Sequence, residues 1–304
     1  MNYFLFLLMG LVWSASFLGI KVTVLALPPI FCAMTRVFIA LLTFTIFFIG
    51  QHRSLKINLS DAMRLWIVGI ISQGLPFILL FWGEQSVAPA LASIINTSVA
   101  AWALLFNIII FRDYSQMTIA KISGLVLGLL GVLAIFWPSL CECTSKFIGI
   151  LSITGMAICY AIGALINQRW VIGKIPVSLR ANLWHQHLGS LAFLLLMMIL
   201  FEHWPSVHQV FGNGKVLLAL AYLGIFSTAV AWIIYNHLIK EWGAILASSV
   251  MYIMPPLALL WDFIFLKLTP ATNEILGVII ILIGITLIQF TPRRQQVISK
   301  TLTQ

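Results

Sequence analysis

The sequence predicts an all-α integral membrane protein whose ten transmembrane helices form two inverted five-helix repeats. Three observations carry that expectation. The 304 residues are 62% hydrophobic and only 8% charged, whereas a soluble domain carries about 25% charged residues. Apolar runs of about 20 residues, the length that crosses a bilayer, recur along the whole chain. The second half also repeats the first at a nearly fixed offset.

The runs fall at 3–26, 29–50, 63–83, 87–111, 119–137, 147–168, 183–201, 215–238, 245–266 and 274–291. They leave only short connections, with no room for a soluble catalytic or receptor domain. The first run reads as a retained helix. Met1-Asn2-Tyr3 lacks the basic start of a signal peptide, and the stretch from Phe4 to Leu27 is too long for its apolar core. Gly10, Trp13, Ser14, Phe17 and Lys21 share one face of this helix. That face is either a close packing surface anchored by Trp, or a cavity wall where aromatics and a few polar groups grip a small molecule. Ser16 lies off the stripe and is expected to bond back to its own helix.

The second run holds Arg36 and the third ends near Glu84. The fourth carries Ser93, Thr97, Ala100, Leu104 and Asn107 along one face, with Asn96 beside it. Gly124 and Gly128 in the fifth form a helix-contact motif, serving internal packing or dimerisation. Cys141 and Cys143 follow in a connection, open to oxidation, weak metal binding or no role, while Cys32 and Cys159 read as small core residues. Tyr160 sits in the sixth run where Trp13 sits in the first. His185 and His187 in the seventh lie about 200° apart around a helix, too far to share a metal readily. The ninth run aligns Ser248, Tyr252, Pro255, Leu259 and Asp262 on one face. Pro255-Pro256 removes backbone donors there and frees carbonyls, which either bend the helix or ligate a solute.

The net charge of +9 is topological. Twelve Lys and Arg follow the even-numbered runs: Arg53, Lys56, Arg64, Arg112, Lys121, Arg169, Lys174, Arg180, Lys240, Arg293, Arg294 and Lys300. Only Lys146, Lys215 and Lys267 fall on the other side. The positive-inside rule then places both termini in the cytoplasm, and a nucleic-acid partner is not expected. Lys21 and Arg36 remain inside runs, with Glu84 and Asp262, all in the outward half. Two positive and two negative groups read as ion pairs pinning helices, or as a network in which a carboxylate exchanges partners or a proton.

"ALAS" at 90–93 returns as "ILAS" at 245–248, 155 residues on, and the same offset carries Gly69 onto Gly224 and Ser72 onto Ser227. An offset of 153 carries Gly124 onto Gly277 and Gly131 onto Gly284. Five runs per repeat is an odd number, so the second copy enters the membrane inverted, the build of secondary transporters with a site between their halves. The expected units are 1–140 and 141–292, with a cytoplasmic tail over 293–304.

These features resemble the drug/metabolite transporter superfamily in its ten-span EamA-type branch. The likeness rests on Trp13-Ser14-Ala15-Ser16-Phe17 with Lys21, on Pro28 and Arg36, and on "LGIFSTAVAW" at 223–232. It extends through "GAILASSVMYIMPP" at 243–256 and the glycine-bearing last helix. Asp113 keeps the acidic residue that closes helix four in such proteins, while Leu268 stands at its second-half counterpart, and Ala100 replaces the first-half proline. The resemblance implies a gradient-driven carrier of small organic metabolites, most often exporting amino acids or related amines, in the bacterial cytoplasmic membrane. An importer or exchanger of a larger metabolite, such as a nucleotide-linked compound or quaternary amine, is the alternative. A channel or intramembrane enzyme finds no filter, nucleophile or metal constellation. The expected substrate-binding set is Trp13, Ser14, Phe17, Ser93, Asn96, Thr97, Tyr160, Ser248 and Tyr252. Lys21, Arg36, Glu84 and Asp262 form the expected charge or coupling set. The expected partners are a small-molecule substrate, membrane lipid and a coupling proton or counter-substrate, with no cofactor or metal, in a monomer or weak homodimer.

Overall fold

The computed structural model describes residues 1–49, 55–87, 89–112, 114, 118–140, 147–261, 264 and 272–289. Every regular element among them is helical. The long segments are α1 (Asn2–Val24), α2 (Pro29–Ile49), α3 (Leu59–Ser86), α4 (Pro89–Thr97 and Val99–Ile109) and α5 (Ile119–Leu140). They continue as α6 (Phe147–Val171), α7 (Leu179–Phe201), α8 (Gly214–Trp242), α9 (Ala244–Ser248, Ser249–Ile253 and Met254–Trp261) and α10 (Thr272–Gln289). A one-turn helix, Val207–Phe211, joins α7 to α8.

Among the described residues, seven helices are long and apolar enough to cross a membrane: α1, α2, α3, α4, α6, α7 and α8. Shorter apolar helices lie within α5, α9 and α10. The bundle is apolar on its outside, as a lipid solvent demands. Leu7, Leu11 and Leu18 on α1 and Leu196, Ile199 and Leu200 on α7 are exposed, while Gln73, Asn96, Asn167, Gln186 and Asn236 are buried.

Local chemistry sets the helix ends. Asn58 accepts from Asp61 N at 2.7 Å and Ser178 from Ala181 N at 3.2 Å, capping α3 and α7. Gly243, at φ 86°, turns the chain from α8 into α9 in a conformation a side chain disfavours. The Glu202 carboxylate at the end of α7 accepts from Ile30 N and Phe31 N at 2.9 and 3.0 Å, placing negative charge on the positive end of α2.

Several helices are interrupted. π-Helical turns occupy Ile70–Gly74 in α3, Asn167–Val171 in α6 and Ile225–Val230 in α8. In α9 the two prolines withdraw N–H groups from the preceding turn, which winds as a 3₁₀ helix over Ser249–Ile253. α4 breaks at Ser98 although no proline stands there.

Glycines set the closest approaches. A Cβ on Gly69 of α3 would lie 1.9 Å from the carbonyl of Gln186 on α7, and one on Gly224 of α8 would lie 2.5 Å from Ile39 and 3.1 Å from the carbonyl of Arg36 on α2. In α5 and α10, Gly131 meets the carbonyl of Gly277, and Gly284 that of Gly124, each at 2.7 Å from the missing Cβ. The two helices therefore run antiparallel, and the Gly124-x-x-x-Gly128 motif is spent on a contact within the chain.

Candidate functional site

Five buried polar residues, Ser16, Arg36, Ser72, Asn96 and Asn167, border a cavity inside the bundle. Its walls come from α1 (Trp13, Ser16, Phe17), α2 (Arg36), α3 (Ser72, Phe77, Leu80) and α4 (Asn96). From the second half they come from α6 (Tyr160, Gly163, Ala164, Asn167), α8 (Trp232, Tyr235, Ile239) and α9 (Met251, Met254). The cavity measures about 40 Å³, room for a few waters.

The π turn in α8 organises one wall. Within it, the Ser227 carbonyl accepts from Trp13 Nε1 at 2.8 Å. The same turn holds Arg36: Nε donates to Thr228 Oγ1 at 2.6 Å, and Nη2 to Ser227 Oγ at 2.9 Å and Ser227 O at 3.3 Å. The guanidinium carbon sits 4.2 Å from the centre of the Phe77 ring, a cation–π contact. Trp13 meets Tyr235 edge-on at 5.3 Å, and Trp232 meets Tyr235 at 5.5 Å. Phe77 also meets Tyr160 edge-on at 6.3 Å. Asn96 Nδ2 lies 3.0 Å from Met251 Sδ and 3.3 Å from Met254 Sδ, linking α4 to α9.

Toward the end of the bundle that carries the N-terminus, the cavity-lining Asn167 belongs to a network of buried amides. Asn167 donates to Asn236 Oδ1 at 2.7 Å, and Gln186 donates to Asn167 Oδ1 at 3.0 Å and Asn182 Oδ1 at 2.5 Å. This network joins α6, α7 and α8, so parting those helices must exchange its partners. His185 bonds to Leu55 O and His187 to Leu183 O, sharing no partner.

The structure brings together four of the expected binding residues: Trp13, Phe17, Asn96 and Tyr160 line the cavity. The other five lie off its walls. Ser14 is bonded to Trp261 Nε1 of α9 at 2.7 Å, so the face of α1 is shared between packing and cavity. Ser93 is buried. Thr97 bonds back to Ile94 O and borders a separate apolar groove of about 470 Å³ between α4, α5 and α6. Ser248 bonds the Tyr235 hydroxyl at 2.8 Å, holding a wall residue from behind. Tyr252 is fully buried, with its ring over Gly128 and its hydroxyl 3.5 Å from Leu125 O of α5. Ser16, expected only to bond back, does so to Trp13 O at 2.6 Å and lines the cavity as well.

Among the described residues, no ion pair joins Lys21, Arg36 and Glu84. Lys21 Nζ instead donates to the carbonyls of Glu84, Val87 and Gln85 at 2.7, 3.3 and 3.4 Å. These are the partly unsatisfied carbonyls at the end of α3, where a helix carries negative partial charge. The Glu84 carboxyl is fully buried, with neither oxygen hydrogen-bonded among the described residues, under the influence of the Lys21 and Arg36 charges. Asp262, Asp113, Cys141, Cys143 and Leu268 lie outside the described residues. Phe77, Trp232, Tyr235, Asn167 and the two methionines escaped sequence reasoning. The Ser72–Ser227 repeat pair and the "LGIFSTAVAW" stretch at 223–232 pointed toward the turns that carry the walls.

A bundle that faces lipid with apolar side chains and borders an internal cavity with buried polar and aromatic ones is built as a multi-pass membrane transporter. Comparison with known proteins narrows the class. The chain belongs to the EamA-like transporter family, whose model matches residues 1–137 and 147–290. Among curated relatives, the uncharacterized transporter YoaV of Bacillus subtilis (strain 168) is 27% identical over 293 residues, covering 94% of this chain and 96% of the relative. A probable amino-acid metabolite efflux pump of Salmonella typhimurium is 24% identical, covering 93% and 92%. One of Escherichia coli (strain K12) is 22% identical, covering 92% and 91%. A solved crystal structure shares the fold with a TM-score of 0.76 at 19% identity, over 97% of this chain and 98% of the other.

Proposed function

We propose that this protein is a gradient-driven carrier that exports small organic metabolites, amino acids or their relatives, by alternating access. The observation that carries the reading is the central cavity, whose walls are shared between residues before 141 and residues after it. A carrier must hold its solute at such a seam, so that rocking the halves exposes it to one side and then the other. At about 40 Å³ the cavity is far smaller than the roughly 300 Å³ or more of a ligand site. The halves therefore part to admit a solute.

Two inverted repeats of five helices, 1–140 and 141–292, fit the geometry. The π turns of α3 and α8 start at Ile70 and Ile225, 155 residues apart. The two glycine contacts between α5 and α10 exchange with each other under the 153-residue offset. α4 and α9 are both interrupted, as are the discontinuous helices that border transporter sites. Ten spans with cytoplasmic termini in a bacterial inner membrane follow from this arrangement and the distribution of basic residues. A periplasm-dependent reporter fused after Gln304 is accordingly expected to be silent in cells; an active one overturns the topology.

The carrier reading is tested with purified protein in liposomes, loaded in turn with amino acids and amines. Saturable counterflow of at least one solute is expected. Linear, unsaturable flux would make the protein a channel, and chemical conversion an enzyme.

A further inference from the structure

Arg36 is the one charged side chain on the cavity wall among the described residues, and no acidic residue faces it there. Glu84 lies off that wall and makes no bond to it. Arg36 is 3% exposed. Its partners are neutral: the hydroxyls of Thr228 and Ser227 and one backbone carbonyl take Nε and Nη2. Hydroxyls solvate a guanidinium without cancelling its charge, and Glu84, close enough for its carboxyl to feel that charge, makes no hydrogen bond to it among the described residues; a charge out of water without a bonded counter-ion is costly. The third nitrogen, Nη1, has no hydrogen-bond partner among the described residues and is not fully buried, and Arg36 lines the cavity. Phe77 covers one face of the guanidinium. With one face and one edge fixed, the Nη1 edge has a defined direction. The Tyr160 hydroxyl, on the other ring packed against Phe77, likewise has no hydrogen-bond partner among the described residues.

A fixed, desolvated guanidinium on the same cavity wall as a phenol, both packed against Phe77, is suited to receive a carboxylate, since charge-assisted hydrogen bonds are the strong ones. It is equally a barrier to a cation, which would meet a like charge with no acidic group on the wall to offset it. The rest of the wall is aromatic and suits an apolar body. We infer that the cavity selects solutes by their carboxylate, which Arg36 receives on Nη1 while the apolar body lies against Trp13, Trp232 and Tyr235. This rests on the carrier reading and narrows it: amino acids enter through their acid group, and simple amines are refused.

The test uses four probes of one shape in counterflow by the full chain in liposomes: 3-phenylpropionate, L-phenylalanine, L-phenylalaninamide and phenethylamine. The two acids are expected to exchange, and the amide and the amine to exchange at least about tenfold more slowly. Arg36→Gln, checked for folding by size-exclusion chromatography, should lose at least about tenfold on the acids, with part of the loss recovered in Arg36→Lys. The probe series on the unaltered protein decides the matter where Arg36→Gln does not fold. Equal exchange of the amide or amine, or undiminished acid exchange in folded Arg36→Gln, overturns the assignment and leaves the carrier intact. Failure of both acids while another solute of the wider panel exchanges also overturns the assignment alone; failure of every solute removes the carrier reading with it.

Discussion

Gly69→Ala is expected to destabilise the protein more than any other single methyl group added to these helices. The new Cβ would stand 1.9 Å from the Gln186 carbonyl oxygen and 2.6 Å from its carbon, where ordinary contact starts at 3.4 Å. Both obstacles are backbone, so no rotamer change relieves them, and α3 and α7 must part. Overpacking of a tight core costs about 1–3 kcal/mol and occasionally more; a backbone clash belongs at or above the top of that range. Gly224→Ala meets Ile39 Cβ and Cγ2 at 2.5 Å and the Arg36 carbonyl at 3.1 Å; Cβ moves only with its backbone, so this variant is also expected to destabilise, by less than Gly69→Ala because its contacts are longer. Gly155→Ala finds only Leu79 Cδ1, at 3.4 Å, and serves as a control that stays within about 0.5 kcal/mol. Thermal unfolding in one detergent ranks the three. An unfolding temperature for Gly69→Ala equal to that of Gly155→Ala would falsify the close approach of α3 and α7.

The pattern of the sequence made the helices legible because lipid imposes length and apolarity on any helix that crosses it. The repeat offset alone singled out Ser72 and Ser227, both of which sit in π turns. What stayed hidden depends on departures from a regular helix. A wheel drawn at 3.6 residues per turn puts Tyr252 in line with Ser248 and Pro255. The 3₁₀ turn over Ser249–Ile253 winds about 20° more per residue. Tyr252 is thereby turned toward α5, and its partner there is Gly128. The π turn in α8 has no marker in its composition, yet it supplies the carbonyl that Trp13 and Arg36 share. Charge signs are an incomplete guide for a related reason. Counting Lys and Arg against Asp and Glu pairs Lys21 with a carboxylate, whereas the structure pairs it with the carbonyl end of α3, a negative group that no residue letter records. Glu202 shows the converse, a carboxylate whose partners are the backbone N–H groups of α2.

Trp13 joins packing to function, and two substitutions separate them. Its indole N–H is bonded to Ser227 O, and its ring meets Trp232 and Tyr235. Trp13→Phe keeps an aromatic wall and loses one buried hydrogen bond, about 1 kcal/mol of stability. The Ser227 carbonyl retains Arg36 Nη2 as a donor, so it is not orphaned. Trp13→Ala removes the wall itself, and loss of so large a buried side chain costs about 3–5 kcal/mol where the site cannot collapse. Because this one opens into a cavity, water can fill the gap, and the lower end of that range is expected. Solute exchange distinguishes the roles when it is normalised to folded protein. A wall that grips the solute predicts that Trp13→Ala slows exchange at least about tenfold, a barrier rise near 1.4 kcal/mol, with Trp13→Phe falling between it and the unaltered chain. A ring that only holds α1 against α8 predicts a lower unfolding temperature in both variants and unchanged exchange per folded molecule. The first pattern is expected, because Trp13 is held from behind by Ser227 while its ring borders the cavity. Side chains that serve packing alone have no need of an open face.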